Sequence, residues 1–186
     1  MGHPPETVLT GGYALAMGVF HDYFRAPDPA TAIAWAVGPG GDWREPAEVG
    51  LDDHGADWFE AKGLDVHVVV GQLVAFAEGV PFKVRRGAGP RLVWPDQEAW
   101  PYGEERPGEQ SPWESGLLLQ VMPEDWVTTL AAVTDDHVPM LAAQWMEIPE
   151  VTFVDFVEAR SSVEQFRALA RRAESHGHSV FSRTII

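Results

Sequence analysis

The stretch SSVEQFRALARRAESHGHSVFSRTII, residues 161–186, decides the reading of the fold. Val163, Phe166, Leu169, Ala170 and Ala173 recur at helical spacing, so a long helix carries one apolar face. Ser161-Ser162-Val163-Glu164 has the pattern of a capping box and predicts that the helix begins there. Gly177 follows the last periodic residue, where a left-handed C-cap favours glycine. Ser179–Ile186 then predicts a closing strand. An exposed strand at that end offers an edge through which two copies would pair, so monomer and homodimer both stay open.

Upstream, helices and strands continue to be interspersed. Gly116–Met122, with Leu117, Leu118, Leu119 and Val121, reads as a buried strand. Pro123-Glu124-Asp125 opens a third helix with acids in its first turn, where the helix dipole favours them. Asp135-Asp136 opens a fourth, to about Met146, and residues 151–159 fit helix or strand equally. Nearer the N-terminus, Val19–Phe24 alternates as a strand, apolar on both faces except for His21 and Asp22. Asp28-Pro29 caps a first helix, Ala30–Val37, stopped by Gly38-Pro39-Gly40-Gly41. A polar acidic connection, 42–57, leads to a short strand at Trp58–Ala61. Asp65 opens a second helix to about Glu78, with Val66, Val69, Val70, Leu73, Phe76 and Ala77 on one face. Arg91–Trp94 is a further strand, closed by Pro95. The pattern predicts one α+β domain over 17–186, a small, mostly antiparallel sheet packed against about five helices. Residues 1–16 read as a flexible extension.

Several of these pieces together resemble the YfbM-like family of small bacterial proteins. They are Met17-Gly18 before an aromatic strand; Lys62, Leu64 and the amphipathic helix ending at Gly79; Met122-Pro123-Glu124-Asp125 followed by two helices; and the terminal pattern Phe166, Arg167, Ala170, Gly177, Val180, Ile185. The resemblance spans 17–186. It implies a compact α+β fold and an upstream extension at 1–16. It implies no activity and no functional residues.

Composition narrows the function. The 186 residues contain no cysteine, which excludes a disulfide scaffold, a thiolate metal site and a cysteine nucleophile. No apolar run approaches the length of a membrane span. The N-terminus lacks the basic start and apolar run of a signal peptide, so the expected location is the cytoplasm. The net charge of −15 disfavours nucleic acid and anionic lipid surfaces and suits a basic protein partner. The acids concentrate in residues 96–160, which carry fourteen of them against two arginines.

No dinucleotide, P-loop, zincin, hydrolase-elbow or EF-hand pattern occurs, and the residues imply no cofactor. Asp52-Asp53-His54 and Asp135-Asp136-His137 repeat one triplet whose donors suit Zn, Mn or Fe. Brought together they would make a metal site; apart, they are a loop and a helix start. His176-Gly177-His178 reads as a helix end, with a chelating pair as the alternative. His21 beside Asp22 is a candidate acid–base pair, and His67 falls on the solvated side of the second helix. Arg85 and Arg171 are candidates for an anion pocket; the alternative is that the arginines pair with the acidic stretches.

Eight tryptophans are many for this length. Trp35, Trp58, Trp126 and Trp145 lie in periodic elements and are expected in the core. Trp43, Trp94, Trp100 and Trp113 flank loops. The segment 95–115, PDQEAWPYGEERPGEQSPWES, holds six acids together with Trp100, Tyr102 and Trp113. Loops of this length in compact domains are usually functional or mobile, and tryptophan and tyrosine dominate binding hot spots. Trp100, Tyr102 and Trp113 are therefore the candidate contact residues of a non-catalytic interaction module. A metal-dependent enzyme or sensor and a small-molecule anion binder are the competing readings.

Overall fold

The computed structural model describes residues 19–44, 50–84, 87–96 and 108–186. Five strands form one antiparallel sheet: β1 (Phe20–Ala26), β2 (Asp57–Glu60), β3 (Arg91–Trp94), β4 (Leu117–Val121) and β5 (Ser179–Ile185). The spatial order is β2-β1-β5-β4-β3. The α+β reading holds. The terminal strand, however, is no edge: β5 lies in the middle, with β1 on one side and β4 on the other. Pairing of two copies through β5 is thereby excluded, because both of its hydrogen-bonding sides are used.

Strand periodicity divides the sheet into two faces. Tyr23, Ser182 and Val180 face α2 (Gly71–Glu78), α3 (Glu124–Ala132), α4 (Val138–Met146) and α5 (Phe156–His176). Phe24, Phe181 and Leu119 face α1 (Pro29–Ala36). The result is three layers with a core on each side of the sheet. In the larger core Phe166 of α5 meets Tyr23 edge-on at 4.6 Å and Phe59 at 4.9 Å. The fully buried Trp145 packs on Phe166 and donates its indole N–H to the Val69 carbonyl at 2.9 Å. In the smaller core Phe24 and Phe181 stack at 5.6 Å.

Most local signals act as expected. Asp28 accepts from the Thr31 amide at 2.8 Å and Pro29 begins α1. Asp65 accepts from the Val68 amide at 2.8 Å, and Gly79 ends α2 in the left-handed conformation. Three expectations need correction. Helix α5 begins at Phe156, not near Ser161: Asp155 caps the Glu158 amide at 2.9 Å, and Glu158 accepts from the Val154 amide. The capping-box pattern at 161–164 thus lies inside the helix, where Ser162 donates back to the Glu158 carbonyl. Helix α4 begins at Val138, with Asp135–His137 forming the preceding turn. Finally, Trp35 and Trp58 are only half-buried, while Trp94, expected beside a loop, is buried against α1.

Candidate functional site

Helices α2–α5 cover β1 and β5 more fully than β3 and β4. Register places Leu92 opposite Gln120, and Leu118 and Gln120 lie on the helix-facing side of β4. All three remain half-buried. What overhangs them is a π-helical turn, Val66–Val70, at the head of α2. Its Val70 amide bonds the Asp65 carbonyl at 2.9 Å, the five-residue span that widens such a turn. The turn presents His67 to Gln120, with His67 Nε2 and Gln120 Nε2 2.5 Å apart.

Beside this contact runs a groove of about 540 Å³, lined by His67, Arg91, Leu92, Trp113, Leu118 and Gln120 among others. A smaller recess of about 190 Å³ continues from it past His67 and Pro90 to Phe82 and Trp126. Gly71 permits that recess to pack: a Cβ there would stand 2.8 Å from Phe82 and 3.0 Å from Trp126. Trp113 is set in place by a short 3₁₀ turn, Pro112–Ser115. Ser111 Oγ accepts from the Trp113 amide, and Ser115 both donates to the Pro112 carbonyl at 2.7 Å and accepts from the Leu117 amide at 3.0 Å. The turn delivers Trp113 directly ahead of β4. β3 borders the groove and is an edge of the sheet among the described residues, so half of its backbone donors and acceptors have no described strand beyond them. Glu109 and Glu114 are exposed nearby in the chain.

Of the candidate contact residues, Trp113 therefore lines a groove, while Trp100 and Tyr102 lie outside the described residues. The two acid–histidine triplets do not meet. Asp52 accepts from the Trp58 indole at 2.7 Å, Asp53 caps the Gly50 amide at 2.8 Å, and His54 stacks on Trp35. That set belongs to the α1 side of the sheet, next to buried Leu51. Asp135 instead pairs with Arg167 at 2.5 Å, beside Val138 in the other core. The sheet lies between the triplets, and among the described residues no three histidine or acidic side chains gather for one ion.

His21 and Asp22 do not pair either, because successive strand residues point to opposite faces. His21 Nδ1 sits 3.0 Å from Thr184 Oγ1 on the helix-facing side. Burial holds its pKa below the usual 6.5, against the opposing pull of Asp65 and Asp22. Asp22 is bound by Arg183. Arg171 donates to the Ala131 and Val133 carbonyls at 2.9 and 2.7 Å, closing the C-terminal end of α3. Arg172 and Arg25 converge on Asp57. These arginines answer acids and carbonyls of the chain itself; Arg85 lies outside the described residues.

The sequence marks His67 only as a solvated helix position and does not mark Gln120 as a site residue. A glutamine in the otherwise apolar run Leu117–Val121 was the one available signal. Compared with known proteins, the chain matches no family model, no curated protein and no solved structure. No helix among the described residues is long and apolar enough to cross a membrane.

Proposed function

We propose that this chain is a non-catalytic interaction domain that seats an extended, basic segment of a partner protein in the groove beside β3. One observation carries the reading: Trp113 lines a groove bordered by an edge strand. An edge strand offers backbone hydrogen bonds to an extended peptide, and alternate side chains of that peptide would drop into the groove. Leu92, Leu118 and Trp113 supply apolar contact; His67 and Gln120 supply polar contact. The chain's net charge of −15 favours a basic partner, and Arg91 in the groove would pair with a carboxylate of that segment. A cysteine-free chain suits the cytoplasm. The YfbM-like resemblance adds a fold to this reading and no activity.

A display selection of random peptides on the full chain tests it, followed by calorimetry of the enriched peptides. Basic peptides with alternating apolar residues should be enriched, and Trp113→Ala should weaken them about tenfold or more, with circular dichroism unchanged. Enrichment of acidic peptides, or binding indifferent to Trp113→Ala, would refute the assignment.

A further inference from the structure

We propose that a second cavity, between the start of α3 and the α5–β5 junction, binds a free α-amino acid. The inference is independent of the groove. The cavity has a volume of about 490 Å³, within the range of small-molecule sites. Its buried floor is apolar, made by Met122 and Val127. Its walls carry Glu124 from α3 and Glu174 from α5. Neither carboxylate has a hydrogen-bond or ion-pair partner among the described residues. Two free carboxylates from different helices suit an ammonium group.

The opposite chemistry comes from His178. Arg25 Nη1 lies 3.0 Å from His178 Nδ1. A guanidinium only donates, so Nδ1 accepts and the ring proton sits on Nε2. Desolvation, then the Arg25 cation, then His176 hold the ring below its usual pKa, which keeps this neutral form in place. Arg25 is itself fixed by Asp57 at 2.7 Å. His178 lines the cavity, and with Nδ1 occupied its remaining ring nitrogen is an N–H donor with no lone pair for a metal ion. Thr128 lines the same cavity and carries a hydroxyl. α3 also starts there, and the amides of a helix's first turn favour an anionic group. Acceptors for a cation and donors for an anion thus share one small cavity, the pairing that a zwitterion satisfies.

Calorimetric titration of the full chain with each proteinogenic L-amino acid tests the proposal, with methylamine and acetate as half-ligands. At least one amino acid should bind about tenfold more tightly than either half-ligand. Glu174→Gln, a change at an exposed side chain, should weaken it about tenfold while leaving the melting temperature unchanged. The His178 Nε2–H resonance should shift on binding. Absence of binding by every amino acid, methylamine binding as tightly as the best of them, or unaltered affinity in Glu174→Gln would each overturn it.

Discussion

Arg183 donates two hydrogen bonds to a single carboxylate oxygen of Asp22, from Nε at 2.8 Å and from Nη2 at 2.6 Å. The two residues stand directly opposite each other on β5 and β1, near the centre of the sheet. Asp22 is 5% exposed, and among the described residues its carboxylate depends on this guanidinium. Removing one member of such a pair strands a charge, at a cost of about 3–5 kcal/mol. Arg183→Met should lower stability by about that amount in urea unfolding. The double change Asp22→Leu with Arg183→Met should recover most of the loss, because apolar replacements of both members are often neutral.

Asp57 gathers Arg172 and Arg25, whose side chains come from α5 and β1. The Arg172 hydrogen bonds come first in holding its pKa below 3.8, with Arg25 adding to them against the cost of burial. A depressed folded-state pKa contributes stability above the unfolded value and loses it as pH falls through the folded one. Asp57→Asn should therefore be less stable than the parent at neutral pH. The gap should close as pH drops below 3.8, as followed by urea midpoints across an acid series.

His21 titrates in the opposite part of the range. Its folded pKa lies below 6.5, so the unfolded chain takes up a proton first and stability falls as pH is lowered from that value. His178 acts in the same direction. Between pH 7.5 and 5, urea midpoints of the parent should decline, and those of His21→Gln should decline less.

Gly116 has φ +69°, and a Cβ there would stand 3.0 Å from the Ile186 carbonyl oxygen. The Ile186 amide in turn bonds the Gly116 carbonyl at 2.9 Å. Gly116→Ala should cost more than about 1 kcal/mol, from strain in the left-handed region plus displaced backbone. Hydrogen exchange at the Ile186 amide should accelerate in the same variant.

The sequence made legible what neighbours along the chain decide. Asp28, Asp65 and Gly177 cap helices as their types and spacing predict, and Tyr23 and Phe24 alternate between two cores. Where two local signals compete, the reading fails: Asp155 and Glu158 outrank Ser161 because they lie upstream on a chain segment already free to become helical. Long-range partners were not legible. Asp22 and His21 find Arg183 and Thr184, more than 150 residues away, only once β5 is placed between β1 and β4. The groove has the same origin. Leu92, Leu118 and Trp113 are unremarkable alone and become a surface because β3 falls at the margin of the sheet, on the face that α2–α5 cover mainly at β1 and β5.

The central position of β5 also orders events during synthesis. β1 pairs with β2 and β3 with β4, and among the described residues β5 is the strand that hydrogen-bonds these two halves into one sheet. Until residues 179–185 have left the ribosome, β1 and β4 each present an unsatisfied edge. The nascent chain then holds two separate fragments of sheet, open to pairing with other chains. Completion of the sheet waits for residues 179–185, and a truncation that removes them takes away the keystone and not the rim.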